Sequence, residues 1–141
     1  MSNPVQNAML GLYSALYRLT NGAIGGHVSG LDVLLLTSTG SRSGQARTTP
    51  LGFLRDGGGY VIIASNGGSD RHPAWYFNLR KTPDARVRIR GASSAVRAEV
   101  LTGDERARAL EQVVSTSPGY ARYQQKAHRE IPLVRLTPLP S

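Results

Sequence analysis

The sequence predicts one α+β domain built on a mostly antiparallel sheet or small barrel of about six strands. The main basis of this prediction is that six short apolar segments, each bounded by turn residues, alternate with stretches of helical pattern. The chain of 141 residues contains no internal repeat, low-complexity tract or linker, so residues 1–141 are expected to form a single domain. A domain of this size buries roughly 70% of the surface that its unfolded chain would expose, so it forms a core without disulfides.

The predicted strands are apolar segments that end at glycine, proline or polar clusters. They comprise residues 32–37, 48–54, 60–65, 85–89, 95–101 and 133–137. The stretch RDGGG separates the second of these segments from the third and predicts a tight hairpin turn, because glycine adopts the positive φ that such turns require. These two strands are therefore expected to pair in antiparallel fashion.

Three helices are predicted between the strands. The stretch DRHPAWYFNLRK carries Pro73 in its first turn, a position that suits proline. GDERARALEQVVST carries acidic residues near its start, where they interact favourably with the helix dipole. A third, short helix is expected to hold PGYARYQQKAH.

The first segment of the chain predicts an amphipathic helix within residues 1–20. Its apolar side chains recur at spacings of four and three, which places them on one helix face: Val5, Met9, Leu12, Leu16 and Leu19. In one interpretation this stripe covers an open end of the core. In the other, it contacts a membrane surface or a lipophilic substrate.

The composition excludes several kinds of chemistry. Cysteine is absent, which rules out disulfides, cysteine-ligated metal centres and thiol nucleophiles, so redox chemistry must come from a bound cofactor. The three histidines, His27, His72 and His128, show no metal-binding spacing, and no metal site is expected. There is no secretory leader pattern and no apolar run of ~18 residues. We expect a cytoplasmic protein, peripheral at the inner membrane face if the first helix contacts lipid.

The charge predicts an anionic partner. The formal net charge is +8, and fifteen of the seventeen cationic side chains are arginine, whose planar fork suits phosphate and carboxylate. In RVRIR, Arg86, Arg88 and Arg90 lie on one face of a strand, which favours a solvated basic edge. A nucleic-acid-binding strand would also carry aromatic residues for base stacking, and this one has none, so no nucleic acid is expected as partner.

A glycine-flanked loop at residues 38–50, STGSRSGQARTTP, offers more hydrogen-bond donors than a turn needs. It lacks the GxxxxGK[ST] pattern, which excludes a P-loop nucleotide-binding site. The guanidinium groups of Arg42 and Arg47, the hydroxyl groups and the backbone amides freed by Gly40 and Gly44 would form an anion cradle. A solvated loop is the alternative.

A second polar turn, ASNGGSDRHPAW, leads directly into a helix, a geometry that aims backbone N–H groups and the positive end of the helix dipole at one place. Two such turns facing each other would clamp a long anionic ligand. Trp75, the only tryptophan, lies on this helix, and on the residues alone core packing explains it.

The region from Leu31 to Tyr123 resembles the deazaflavin (F420)-dependent nitroreductase family of actinobacteria, in the A-type branch of the flavin/deazaflavin oxidoreductases. Three motifs carry the resemblance, in the order GSRSGQAR, ASNGG and PAWYFNL. The resemblance implies a split β-barrel with flanking helices. It also implies coenzyme F420 as cofactor, whose phosphate and oligoglutamate tail are anions that match the arginine excess.

Motif by motif, the resemblance implies a set of cofactor-binding residues. For the phosphate, the tail and the ring edge these are Ser41, Arg42, Ser43, Arg47, Thr48, Thr49, Pro50, Leu51 and Gly52. For the deazaisoalloxazine ring they are Ile63, Ala64, Ser65, Asn66, Ala74, Trp75, Tyr76, Phe77 and Asn78. Tyr120 and Tyr123 fall where the family places tyrosines beside the substrate, and Tyr120 is also expected to contact the cofactor.

The activity implied by the resemblance is hydride transfer from reduced F420 to a small hydrophobic, electron-poor acceptor, either a quinone, an activated alkene or a nitro compound. Tyr120, with Tyr123 as the alternative, is the expected catalytic proton donor, unless both rings only line the pocket. Gly52 and Ser117 replace aromatic residues of the nitroimidazole-activating pattern, and Asn66 replaces a frequent lysine, so a wider pocket is expected. Three alternatives stay open: an FMN-binding split-barrel oxidoreductase, a nucleic-acid-binding module and a non-catalytic F420-binding protein.

Overall fold

Six antiparallel strands close into a barrel in the computed structural model, which describes residues 4–20, 22, 27–28, 31–117 and 119–140. The strands are β2 (Leu31–Thr39), β3 (Ala46–Asp56), β4 (Gly59–Ile63), β5 (Asp84–Ile89), β6 (Ala92–Val100) and β7 (Leu133–Pro138). They follow the order β2-β3-β4-β7-β6-β5, and pairing of β5 with β2 closes the ring. The α+β fold and the six predicted strands are confirmed.

The remaining elements surround this barrel. A two-residue strand, β1 (His27–Val28), pairs with the start of β2 and was not predicted, since two residues carry no periodic pattern. The helices are α1 (Pro4–Leu19), α2 (Ala74–Lys81), α3 (Gly103–Thr116) and α4 (Tyr120–Lys126). Pro73 is the residue immediately before α2 rather than a residue of its first turn.

The β3–β4 hairpin is confirmed at RDGGG. Asp56 pairs with Gly59, so only Gly57 and Gly58 form the turn, and Gly57 has a φ of 60°. Glycine reaches this left-handed region without a steric penalty, which makes so short a connection feasible.

The barrel interior forms one apolar core that α2 closes at one end. Strand side chains fill it: Leu34, Leu36, Phe53, Ile62, Val87, Val96, Val134 and Leu136. Trp75, Tyr76 and Leu79 of α2 belong to the same buried cluster, so their burial attaches this helix over the barrel mouth. A second apolar cluster lies outside the barrel wall, where α3 and α4 pack against β3, β4 and β7.

Of the two interpretations of the α1 stripe, the one in which it covers an open end of the core is wrong. Met9, Leu12 and Leu19 are 67%, 63% and 82% exposed, and the side chain of Val5 lies outside the described residues. The helix instead buries Tyr17, which packs on the outer face of β2 and donates a hydrogen bond of 2.8 Å to the carbonyl oxygen of Val33. The predicted stripe counted only aliphatic residues, whereas a tyrosine that can satisfy its hydroxyl group provides the attachment.

The basic strand RVRIR is also placed differently from the prediction of a solvated edge. β5 pairs with β6 on one side and with β2 on the other, so it has no free edge along this stretch. Arg88 donates a hydrogen bond of 3.1 Å to the carbonyl oxygen of Arg18, and Arg90 donates one of 2.9 Å to that of Gly22. Two of the three arginines therefore hold the end of α1 against the barrel, and Arg86 is exposed.

Candidate cofactor site

The loop between β2 and β3 uses its own backbone amides. Residues 40–47, which we call the arginine loop, contain a bond of 2.8 Å from the amide of Gly40 to the carbonyl oxygen of Gln45. The amide of Gly44 donates to the carbonyl oxygen of Gly40 at 2.9 Å, and that of Gln45 donates to Ser43 Oγ at 3.1 Å. The expectation that the glycines free amides for an anion is therefore wrong at these positions, because the tight loop satisfies its own donors.

The arginine loop is fixed to α2 by two side chains. Asn78, which is buried, accepts a hydrogen bond of 2.9 Å from the amide of Ser41 and donates one of 3.3 Å to Ser38 Oγ at the end of β2. Lys81 donates to the carbonyl oxygen of Ser41 at 2.7 Å. Asn78 thus acts as a bridge between the barrel, the loop and the helix. Its contact with a cofactor stays a prediction.

The cations of the arginine loop point to an anionic ligand. Arg42 and Arg47 are exposed, and within the described part of the chain neither forms an ion pair with a carboxylate. Two guanidinium groups on one short loop, with the hydroxyl of Ser43 between them in sequence, are the donor set that phosphate and carboxylate groups prefer. These residues therefore fit the phosphate and tail of F420.

The second polar turn, residues 64–73, which we call the α2 turn, is held from outside by Arg129. This guanidinium donates hydrogen bonds to the carbonyl oxygens of Ala64 at 3.1 Å, Ser65 at 3.1 Å and Ser69 at 3.0 Å. It also donates to Nδ1 of His72 at 3.0 Å, because arginine has no acceptor atom. Burial lowers the pKa of Arg129, but a guanidinium stays protonated at neutral pH.

His72 is therefore neutral in this arrangement, with its proton on Nε2. Burial lowers the pKa of His72 below its ordinary value of 6.5, and the positive charges of Arg129 and Arg80 lower it further. The imidazole packs on the ring of Tyr76, with the ring centroids 4.6 Å apart, and on that of Phe77 at 5.7 Å. The α2 turn is thus joined to the first turn of α2 as well as to Arg129.

A second link holds the middle of the α2 turn. The carboxylate of Asp70 accepts a hydrogen bond of 2.8 Å from the amide of His128 and lies 3.1 Å from its Nδ1. The hydrogen bond from this amide holds the pKa of Asp70 below its ordinary value. Asn66 has a φ of 47°, a region in which asparagine is tolerated, and donates to the carbonyl oxygen of Arg71 at 3.0 Å.

The predicted site residues on β3 and β4 divide between the two sides of the barrel wall. Leu51 and Ala64 pack with the interior cluster, together with Trp75 and Tyr76. Ile63 packs with the outer cluster, which includes Leu31 and Tyr120. Because successive residues of a strand face opposite sides, Thr49 follows Leu51 inward, and Thr48, Pro50 and Gly52 face outward. The side chains of this run therefore lie on both sides of the barrel wall, and their contact with a cofactor stays a prediction.

The outward residues form a surface bordered by α1. Thr48 Oγ1 lies 2.9 Å from Thr37 Oγ1 and accepts a hydrogen bond of 3.3 Å from Arg18. A Cβ atom placed on Gly52 would lie 3.0 Å from Cδ1 of Leu31, which is buried against it. Leu31 therefore occupies part of the space that an aromatic residue would take, and the absence of an aromatic at Gly52 does not by itself widen the site.

The two tyrosines of α4 occupy different environments. Tyr120 is 7% exposed within the outer cluster, and its hydroxyl group lies 3.4 Å from Oε1 of Gln124. Tyr123 is 41% exposed and lies beside the α2 turn, where a Cβ atom on Gly68 would be 3.3 Å from its Cα atom. Gly68, with a φ of 83°, allows this close approach of α4. Of the pair, Tyr123 is the more exposed residue.

The other predicted residues vary in exposure. Trp75 and Tyr76 are each 6% exposed in the core, whereas Phe77 is 47% exposed and Ala74 is exposed at the start of α2. Two depressions, of about 210 and 340 Å³, lie beside α2 and at the other end of the barrel, and neither borders the arginine loop. The arginine loop therefore belongs to neither of these two depressions.

Several residues of this site were missed by sequence reasoning. The missed residues are single charged side chains outside the motifs that carry the resemblance, or at the margins of those motifs: Arg129, Asp70 and Lys81. Each of them bonds to a backbone carbonyl or amide group. Such bonds leave no pattern in a sequence.

Comparison with known proteins identifies the family. The model of a family described as F420H(2)-dependent quinone reductase matches residues 11–138. An F420H(2)-dependent quinone reductase of Mycobacterium tuberculosis is 41% identical over 133 residues, which cover 92% of this chain and 89% of the relative. A solved structure titled F420-H2 dependent reductase (FDR-A) is 36% identical with a TM-score of 0.68, covering 74% of this chain and 92% of that one.

A second solved structure, described as a domain-swapped dimer, is 31% identical with a TM-score of 0.71 and covers 95% of this chain and 99% of that one. The barrel, its flanking helices and these matches define an F420-dependent oxidoreductase with coenzyme F420 as its cofactor. The chain belongs to the F420H(2)-dependent quinone reductase family. In the described ranges, no helix combines the length and hydrophobicity that crossing a bilayer requires.

Proposed function

We propose that this protein reduces quinones with reduced F420 and that the arginine loop binds the anionic part of the cofactor. The observation that carries the proposal is the pair of exposed guanidinium groups, Arg42 and Arg47, for which the described residues provide no carboxylate partner. Their charge is available for a ligand because the loop needs neither side chain for its own hydrogen bonds. Ser41 and Ser43 belong to the same loop and complete the proposed contact with the phosphate and tail.

The deazaflavin ring is proposed to lie where the end of β4, the α2 turn and α4 meet. Ile63 offers apolar surface there, and Ser65 and Asn66 offer polar groups at the end of the strand. Trp75 and Tyr76 support this region from the core, and Phe77 and Ala74 are exposed on the adjoining helix. When bound, the reduced cofactor supplies a hydride, so the protein has to provide binding, exclusion of water and a proton.

Tyr123 is the proposed catalytic proton donor. A quinone that accepts a hydride becomes a phenolate-like oxyanion, and one proton completes the hydroquinone. The phenol of a tyrosine can donate its proton to the oxyanion or stabilise it by a hydrogen bond. Tyr123 fits this role better than Tyr120, whose hydroxyl group is directed to Gln124 inside the outer cluster.

The experiment is stopped-flow oxidation of enzyme-bound reduced F420 by menadione. Tyr123→Phe is the test variant, and Tyr120→Phe is its matched control. Removing one preorganised donor lowers the rate by about 100-fold, so Tyr123→Phe should lose about that factor with nearly unchanged cofactor affinity. Tyr120→Phe should stay within about threefold. A wild-type protein that does not oxidise reduced F420 with menadione would refute quinone reduction, and equal rates in both variants would refute the donor role. Nitro compounds and activated alkenes, tested as further acceptors, measure the breadth of the activity.

We also propose that α1 contacts an anionic membrane surface, at the inner face where lipophilic quinones reside. Met9, Leu12, Leu16 and Leu19 are exposed on one helix face, and Arg18 is an exposed cation on the same helix. An apolar face beside an exposed arginine, on a protein of net charge +8, fits an anionic lipid interface. The resulting partner is the bilayer in which the hydrophobic acceptor dissolves.

Vesicle sedimentation tests this contact. The protein should sediment with vesicles that contain anionic lipid and much less with purely zwitterionic vesicles, and Leu12→Glu/Leu19→Glu should abolish the binding. Val114→Glu changes an equally apolar, exposed residue of α3 and should leave binding unchanged. Loss of binding in Val114→Glu, or its persistence in the α1 variant, would argue against the proposal.

A further inference from the structure

Arg129 makes more bonds to the α2 turn than any other side chain described above. Its three nitrogen atoms donate to the carbonyl oxygens of Ala64, Ser65 and Ser69 and to Nδ1 of His72, all within 3.0–3.1 Å. The arginine itself is half-buried and belongs to the segment between α4 and β7, so these bonds join parts of the chain about 60 residues apart in sequence.

Apart from the bond to His72, Arg129 bonds to main-chain carbonyl oxygens of the turn. The other side chains of the turn are therefore not used by Arg129. Carbonyl oxygens of Ala64, Ser65 and Ser69 point to the guanidinium group, which fixes the path of the backbone from the end of β4 to the start of α2. The 3₁₀ turn at Asn66–Gly68 lies within that path and packs against α4 at Gly68. The amides of Gly68 and Ser69 donate only to carbonyl oxygens within the turn, Ser65 and Asn66, so these local bonds do not tie it to the rest of the chain. The bonds from Arg129 supply that attachment and restrict the local opening of the turn.

We infer that Arg129 is a positioning residue for the cofactor: it presets the α2 turn in the conformation that receives the deazaflavin ring, without touching the ligand. The inference rests on the proposed function, because that proposal places the deazaflavin ring at the α2 turn. When the turn is already ordered, ligand binding does not include the free-energy cost of ordering it. The affinity for the ligand is therefore higher. Asp70, through its bond with the amide of His128, holds the same turn from the neighbouring residue.

Lysine cannot replace this arginine. The planar guanidinium group donates in several fixed directions at once, whereas an ammonium group is a point charge that reaches one or two of these acceptors. Arg129→Lys keeps the charge and removes the fork, and Arg129→Gln removes both. Arg108→Gln on α3 removes the same charge from an exposed position outside the site and serves as the control.

Hydrogen exchange of the protein without cofactor tests the inference independently of activity. In Arg129→Gln, the amides of residues 65–72 should exchange about tenfold or more faster than in the wild type, and in Arg129→Lys by an intermediate factor. The amides of β5 and β6 should keep their protection in every variant, which shows that the barrel is intact. Arg108→Gln should match the wild type throughout.

Cofactor titration supplies the second measurement. Arg129→Gln should weaken F420 binding about tenfold while the rate at saturating cofactor stays within about threefold, because the ligand restores the turn when it binds. Unchanged exchange in both Arg129 variants, or faster exchange with unchanged affinity, would overturn the inference. A wild-type protein that binds no F420 would overturn the proposed function instead, and the exchange data alone would then decide whether Arg129 presets the turn. If Arg129→Gln does not fold, Arg129→Lys carries both measurements.

Discussion

The arginine loop and the α2 turn are both polar and rich in glycine, but the structure stabilises them in different ways. In the arginine loop, the amides of Gly40, Gly44 and Gln45 bond within the loop, Asn78 and Lys81 tie it to α2, and Arg42 and Arg47 are exposed. The α2 turn also has internal bonds, but its external bonds come from the segment that follows α4, through Arg129 and the Asp70–His128 pair. One region presents charge on a loop attached to α2, and the other presents a surface attached to a distant part of the chain.

This difference indicates that the two regions have different roles in cofactor binding. Electrostatic attraction tolerates imprecise geometry, so long exposed side chains suffice to capture a phosphate or a carboxylate tail. A planar ring that must be placed for hydride transfer needs a surface fixed to within a fraction of an ångström. Mutations in the arginine loop should therefore change affinity, and mutations around the α2 turn should change local order.

The largest expected effect follows from removing the charge of the arginine loop. Arg42→Gln/Arg47→Gln should weaken F420 binding about 100-fold, since each charge-assisted hydrogen bond contributes about a factor of ten. Titration of F420 fluorescence measures the dissociation constant. The matched pair Arg55→Gln/Arg108→Gln removes two exposed charges elsewhere and should change affinity by less than about threefold. Equal losses in the two double variants would mean that net charge, and not this loop, attracts the cofactor.

Asn78 tests how the arginine loop is attached. Asn78→Ala removes the partners of Ser41 and Ser38 at a buried position and should lower the free energy of unfolding by about 2 kcal/mol. Urea denaturation measures this value. Gln112→Ala, which removes an exposed hydrogen bond to the carbonyl oxygen of Arg55, should cost less than about 0.5 kcal/mol. A similar cost for both substitutions would show that Asn78 is not the anchor.

The salt dependence of F420 affinity should identify the contribution of the arginine loop, with an effect smaller than that of the substitutions. Exposed charges are screened at high ionic strength, so raising the salt concentration should weaken F420 binding to the wild type several-fold. In Arg42→Gln/Arg47→Gln the same change of salt should have little effect. A salt dependence that persists in the double variant would assign the attraction to other arginines.

The smallest effect concerns pH and the α2 turn. His72 faces Arg129, Arg80, Tyr76 and Phe77, and its pKa is below 6.5, so the unfolded chain binds a proton more readily than the folded one. The contribution of His72 to stability is therefore fully present above pH 6.5 and is lost as pH falls toward the folded pKa. Urea denaturation at pH 7.5 and 5.5 should show a larger decrease for the wild type than for His72→Gln. Equal decreases would show that His72 does not titrate as described.

The sequence predicted the barrel well because its strands are apolar runs with strong turn signals between them. The hairpin at RDGGG and the helix over residues 103–116 are correct to within a residue. The interpretation that the aliphatic stripe of α1 covers the core was wrong because Tyr17, with Tyr13 beside it, attaches the helix instead. Tyr17 donates to the carbonyl oxygen of Val33 and accepts a bond of 2.6 Å from the amide of Arg90. Tertiary hydrogen bonds of this kind are not visible in a periodic pattern.

For the candidate site, sequence reasoning found the two polar segments but not how they are held. The motif around Arg42 and Arg47 is contiguous, so its charge and glycine content are apparent. Arg129 lies more than 50 residues after the turn it clamps and bonds only to main-chain carbonyls and His72. In the predicted run from Thr48 to Gly52, successive side chains face opposite sides of the barrel wall, with Leu51 against the interior cluster, and the contact of this run with the cofactor stays a prediction.

NMR mapping of F420 binding tests the central claim most directly, namely that the arginine loop and the α2 turn receive one ligand. Backbone amide shifts of the labelled protein would be followed as F420 is added. The account predicts that the largest changes fall in residues 40–47 and 64–73 and near Tyr123, and that they saturate with one dissociation constant. Changes concentrated at the opposite end of the barrel, around Arg55 and Arg90, or two segments that saturate separately, would contradict it.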